Sequence, residues 1–438
     1  MEQIGQMEPR TGIGGCYGSA WWINVKKIRL YRVYNRIAIC VLMVSALLLS
    51  GCTFADMFPT SGALADVQET EAQTDEQTDV QTDTAISDEG STQTDQEIVS
   101  DTSSKDEEGG DSEAAEEKFR SLFTGEEITY NWLDHRPLAV MLNNIEAGCP
   151  QSGIEQASIV YECPVEGRIT RLMGIFEKYE EIPKIGSIRS SRDYFVYYAL
   201  EYDAIYAHFG QATTYVGELL NSDAVDNISG AVSGIDNPST NAFYRSSERK
   251  APHNVYIDNE GLIEDRDKFG YRTTLRTGFV QKFAYPELGE RVTYDDMPDA
   301  TVLYPGGQTR NAANGFSKVG ARFEYNPEDG KYYRFQYGDK HIDLETGEQL
   351  KYDNVIFQYV DGIVRDSHDY LGFGTMGGTD DKCKVFTAGK EIDGTWSRED
   401  LFGPAKYYDK DGKEIVVNYG KTWICTIWND YADDVVIE

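Results

Sequence analysis

The sequence predicts an α+β fold for most of this 438-residue chain: a mixed α/β domain over 123–277, then a mainly antiparallel β domain over 278–438. Three observations carry the expectation. Up to about Gly278, short apolar runs of strand length alternate with segments of helical period. Beyond it, aromatic and β-branched runs are separated by Asp-Gly turn signals. Before Phe123 the composition is too polar for any core.

The first segment, 1–51, reads as a lipoprotein-type signal peptide with a long lead. Lys26, Lys27, Arg29, Arg32 and Arg36 precede an apolar run from Ile37 to Leu49, about 13 residues long. A spanning helix needs roughly 20. Leu49-Ser50-Gly51-Cys52 resembles a lipobox, in which the Cys becomes the first residue of the mature protein and carries diacylglycerol; an uncleaved signal anchor is the alternative. From 52 to 122 follows an acidic Thr/Gln/Asp/Glu stretch with the near-repeat Gln73-Thr74-Asp75, Gln77-Thr78-Asp79, Gln81-Thr82-Asp83. Its twenty acids between Asp56 and Lys118 face two lysines. Such a chain is expected to be disordered, spanning roughly 45–50 Å as a coil. It reads as a spacer, with an acidic binding tail as the other possibility.

Within 123–277, Pro137–Leu142, Ser158–Glu162 and Thr170–Phe176 read as strands, the last two joined through Glu166-Gly167. Ser190 to Tyr202 carries Phe195, Val196, Ala199 and Leu200 at helical spacing, with Ser190 as the expected N-cap. A strand Ala204–His208, a helix Thr213–Leu220 and a helix near Glu260–Phe269 follow. In 278–438, strands are expected at Arg322–Tyr325, Tyr332–Tyr337, Val355–Val360 and Lys421–Trp428, with a hairpin about Lys410-Asp411-Gly412.

Net charge is −33, and with the acidic stretch and the basic leader set aside the rest carries roughly −19. A body of that sign repels phosphate backbones, so nucleic acid is excluded as a partner. It also disfavours bare anionic lipid, leaving acyl chains at Cys52 as the expected membrane attachment. The localisation expected is the extracellular face of the cytoplasmic membrane. Four cysteines remain in the body: Cys149, Cys163, Cys383 and Cys425. Export permits local pairs, Cys149 with Cys163 and Cys383 with Cys425, but the apolar setting of Cys425 suits free thiols.

A cationic cluster stands out against this acidic background. Arg168 and Arg171 open one strand, and Arg189-Ser190-Ser191-Arg192 leads into a helix, where the macrodipole disfavours positive charge. An anion held by these arginines, the Ser190 and Ser191 hydroxyls and backbone N–H groups, with Asn254 as a further ligand-binding candidate, would resolve that conflict. Internal pairing with Glu162, Glu166 or Asp193 would resolve it equally well. His208 ends a strand and His253-Asn254 begins one, so either imidazole with Glu162 or Glu166 would supply a general acid/base pair. A hydrogen-bonded structural role is the alternative for both. No spacing matches a metal site, and no cofactor is expected. Gly372 to Gly377 fits the dinucleotide fingerprint by letters only, lacking the preceding strand and following helix.

Several ordered motifs carry a family resemblance. They are Arg136–Asn144 with Pro150–Gly153, Ile159–Glu162, Ile169-Thr170-Arg171, Ile185–Arg192 and Ala251–Tyr256, and later Gly394–Arg398 and Gly420–Ile424. Together, over about Leu133 to Trp428, they resemble the YerB-like lipoproteins of Gram-positive bacteria, a domain family of unknown function with N- and C-terminal domains. Ser187 stands where that family often has proline. The resemblance implies envelope localisation and a two-domain build; it supplies no catalytic residues. The expected function is a surface lipoprotein binding an anionic envelope component or a partner protein, with a wall-polymer hydrolase using His208 or His253 as the alternative.

Overall fold

The computed structural model describes residues 118–438 apart from 132–134, 233 and 378–380, so the lipobox, Cys52 and the acidic stretch up to 117 lie outside the described residues, while the end of the stretch expected to be disordered is ordered: Phe119–Arg120 pairs antiparallel with Glu127–Ile128. The described residues fall within one compact unit, Glu107–Glu438. Its centre is a sheet of ten strands: β1 (Leu138–Leu142), β2 (Ile159–Val165), β3 (Ile169–Phe176), β4 (Ile205–His208), β5 (Asn227–Ser229), β6 (Asn354–Val360), β7 (Asp381–Thr387), β8 (Lys390–Ser397), β9 (Lys406–Asp409) and β10 (Thr422–Trp428). Their order is β9-β8-β7-β6-β10-β2-β3-β1-β4-β5.

Chain order and sheet order part company in the middle. β10 pairs in parallel with β6 on one side and with β2 on the other, placing Trp423 beside both Val355 and Val160. Both halves of the chain therefore close a single sheet. β3 runs antiparallel to β2 and β1, while β4 and β5 follow β1 in parallel. The carboxyl ends of β1, β2, β4, β5, β6 and β10 consequently share one edge. Elsewhere antiparallel pairing dominates, as in the meander Val302–Tyr304, Arg322–Asn326 and Lys331–Gln336 and the three-stranded sheet of Phe243–Arg245, Val255–Asp258 and Lys184–Gly186.

Why the central strands read as unbroken apolar runs follows from their place. Every residue of β1, β2 and β6 is buried, because both faces of the sheet are covered. One face packs Tyr161, Met173 and Ile424 under helix α1 (Asp193–Glu201), through Tyr194, Tyr198 and Tyr202. The other packs Val160, Leu172 and Trp423 under the meander, through Phe323 and Tyr332. Helices α2 (Thr213–Leu220), α3 (Asn259–Lys268) and α4 (Gly315–Val319) complete the list among the described residues.

Helix α1 starts later than its sequence suggested. Ser190 is not its N-cap; Arg192 holds that position without a side-chain cap. Ser191 N–H donates to Gly210 O at 2.9 Å and its hydroxyl accepts from Tyr206 Oη at 2.9 Å, which keeps this stretch extended. Helix α3, by contrast, is capped by Asp258, whose carboxylate accepts from Gly261 N–H. The four body cysteines are free thiols, three of them buried.

Candidate functional site

The β2–β3 turn, Glu166-Gly167-Arg168, sits on the shared carboxyl-end edge, where ligands gather in sheets of this kind. A cleft of about 960 Å³ opens beside it. The first half of the chain lines it with Ile145, Glu146, Glu166, Gly167, Ile169, Arg171 and Arg189. The second half contributes Tyr304, Gly307, Gln308, Arg310, Lys318, Arg322 and Tyr337. Close packing of α4 on β3 brings the two together: a Cβ at Gly315 would stand 2.7 Å from Ile169 O, so only glycine fits. Lys318 Nζ then donates to Gly167 O at 3.0 Å, tying the helix to the turn. Tyr337 Oη closes the floor by donating to Asn144 O at 2.6 Å.

Five cations thus face two carboxylates in this cleft, in a chain of net charge −33. The sequence-predicted arginines divide between the two alternatives posed for them. Arg192 is an internal partner: its guanidinium forks onto Glu166, with Nε to Oε2 at 3.0 Å, and stacks over Tyr370. Arg171 reaches Glu166 at 3.7 Å and donates Nη1 to Ser190 O at 2.8 Å. Burial works to raise the Glu166 carboxyl, but Arg171 and Arg192 overcome it and hold Glu166 below the usual carboxylate range. Arg365, not a cleft residue, pairs with Asp193 at 2.6 Å.

Arg189 differs. Nη1 donates to Pro252 O at 3.2 Å, and its buried Nε has no acceptor among the described residues. Burial, then the charge of Arg192, pushes its pKa down, as expected of a cation short of compensation. Arg168 stands exposed at the turn tip, with φ at 55°, and is not among the lining residues. Sequence reasoning missed Arg310, Lys318 and Arg322. The only signal was three cations spaced around the Asn314-Gly315 helix start inside an acidic body.

The acid/base candidates are not brought together. His208 is fully buried, with Nδ1 against Gly210 O at 2.8 Å and Nε2 against Asn227 Oδ1 at 3.3 Å. His253 is partly exposed and meets Asn143 Nδ2 at 2.9 Å, and burial, then Arg189 and Arg249, lowers its pKa. Asn254 is held by Arg245 Nη1 at 3.1 Å and by Ser246 O.

Glu162 belongs to a different assembly. It is wholly buried and receives Arg334 Nη2 at 2.9 Å, Trp423 Nε1 at 3.1 Å, Thr170 Oγ1 at 2.7 Å and Asn144 Nδ2 at 3.3 Å. Arg334, itself without exposure, stacks between Phe323 and Trp423. Gln151 extends this network: its Nε2 donates to Asn143 O and Asn144 Oδ1, leaving Oε1 to accept from His341 Nε2 at 2.7 Å. His341 therefore carries its hydrogen on Nε2, and its buried Nδ1 has no partner among the described residues.

Burial lowers the pKa of both His208 and His341, the latter well below its ordinary value and further opposed by Arg334. The unfolded chain then binds more protons than the native one below about pH 6.5, so stability falls with falling pH. His341, the more strongly shifted, is expected to contribute up to about 1.4 kcal/mol per pH unit between roughly pH 6.5 and 5. Urea unfolding across that window should show a shallower slope for His341→Gln than for the wild type. Equal slopes would mean that His341 is protonated inside the fold.

A mixed sheet closed by two consecutive modules, with a cationic cleft lined by both, defines an α+β protein of bipartite build. Family models match both parts: "Protein of unknown function (DUF3048) N-terminal domain" over residues 123–272 and the corresponding C-terminal domain over 312–424. The chain belongs to this YerB-like family. It is 28% identical over 316 residues to "Putative lipoprotein YerB" of Bacillus subtilis (strain 168), covering 70% of this chain and 86% of that one. The crystal structure of the YerB protein from Bacillus subtilis matches with a TM-score of 0.61 at 26% identity, covering 73% of this chain and all of the other.

Proposed function

We propose that this chain is a surface lipoprotein, tethered through Cys52, whose cleft binds an anionic component of the cell envelope. The tether rests on Leu49-Ser50-Gly51-Cys52 and on the lipoprotein name of the relative. Among the described residues no helix is long and apolar enough to cross a membrane. The acidic stretch 52–122 would serve as a spacer, and the modules 123–277 and 278–438 as the binding body. One observation carries the binding reading: Arg189 lines an open cleft, and among the described residues its guanidinium meets one carbonyl, Pro252 O, and no carboxylate. Leaving a charged donor so placed is costly unless a ligand completes it. The engagement of both His208 nitrogens and the pairing of Glu162 with Arg334 favour binding over hydrolysis.

Thermal unfolding tests this. At ten to a hundred times its dissociation constant, an anion should add about 1.4–2.7 kcal/mol of stability, a rise of several degrees in melting temperature. Arg189→Ala is expected to remove more than half of that rise. If phosphate, sulfate and soluble wall fragments all leave the wild type unmoved, the cleft is not an anion site.

A further inference from the structure

Resting on that anion-binding reading, we infer that the cleft recognises a polyanion, a ligand carrying two or more phosphate or carboxylate groups along one chain. The cleft holds two cationic groups on separate segments. Arg171 and Arg189 come from β3 and the loop before α1; Arg310, Lys318 and Arg322 come from the loop, helix and strand around α4. Each group has its own cations that meet no carboxylate among the described residues, Arg189 in the first and Arg310 and Lys318 in the second. Unpaired cations on two segments call for two anionic groups, and one small anion supplies its charge at one place.

Size and charge point the same way. At about 960 Å³ the cleft lies at the upper end of the roughly 300–1,000 Å³ of ligand pockets, far more than one phosphate fills. Its carboxylates are also unevenly placed. Glu166 is taken up by Arg192 and Arg171 and Arg322 Nη2 meets Glu324 at 2.9 Å, while among the described residues no carboxylate lies within ion-pair distance of Arg189, Arg310 or Lys318. Once the first anionic group of a chain is seated, the second binds at the high effective concentration its linkage imposes.

Calorimetric titration of the full chain with orthophosphate, tripolyphosphate and long-chain polyphosphate tests this, with free glutamate and polyglutamate as the carboxylate arm. Affinity per anionic group is expected to rise about tenfold or more from the monomeric to the polymeric probe in at least one arm. Arg310 and Lys318 are exposed, so Arg310→Ala with Lys318→Ala leaves the core untouched. This double variant is expected to bring the polymer-to-monomer ratio down to about threefold or less. A wild-type ratio near one in both arms, or a double variant that keeps its ratio, would overturn the polyanion proposal while leaving a single-anion site standing. No binding of any probe would instead remove the anion reading beneath it.

Discussion

Arg334→Met is expected to destabilise the fold by about 3–5 kcal/mol, because it leaves the Glu162 carboxylate buried and short of its charged partner. Neither side chain has any exposure, so no water can replace the lost guanidinium. Thr170, Asn144 and Trp423 would remain as neutral donors, which satisfies geometry but not charge. Replacing both members, Glu162→Leu with Arg334→Met, should recover at least half of the loss, since desolvating the pair is itself costly. Urea unfolding followed by tryptophan fluorescence reads both effects. A cost below about 1 kcal/mol for Arg334→Met, or losses that simply add in the double variant, would show that the pair does not act as a unit.

Trp423→Ala is expected to cost about 3–5 kcal/mol, the range of a large core truncation. Trp423 is fully buried; its ring meets Tyr352 at 5.0 Å, Phe323 at 5.8 Å and the Arg334 guanidinium at 5.1 Å. Trp423→Phe keeps an aromatic ring in the core but loses the Nε1–H donated to Glu162 and part of the indole volume, so about 1–3 kcal/mol is expected. The same urea titration separates the two. Were the alanine and phenylalanine variants equally unstable, the indole N–H rather than ring packing would be the dominant contribution.

Elements held by local pattern were legible in the sequence. The β1, β3 and β6 runs stand where their apolar stretches predict them, and α2 spans the expected Thr213–Leu220. What escaped is set by distant partners. Ser190 carries the chemistry of an N-cap, yet the extended pairing of Ser191 with the loop at Gly210 overrides it. Along Lys331–Gln336 the strand alternates, and the buried positions are Tyr332, Arg334 and Gln336 rather than the more apolar Tyr333 and Phe335. Period-two reading finds the two faces but not which one is inside, because the Glu162 that decides it lies 172 positions away. In the cleft, Arg171, Arg189 and Arg192 were visible as a motif; their division between internal pairing and an open donor depends on where Glu166 points. The opposing wall at Arg310, Lys318 and Arg322 depends on the packing of α4, a five-residue helix with no amphipathic period to announce it.

The position of β10 between β6 and β2 has a kinetic meaning. Cys163 and Thr426 touch across 263 positions of sequence, so the middle of the sheet waits for almost the whole chain to emerge. Closing so long a loop is slow, and until it closes β2 presents an unsatisfied edge. Because both β6 and β2 pair with residues 422–428, the ten-stranded sheet is complete only once that last segment is present.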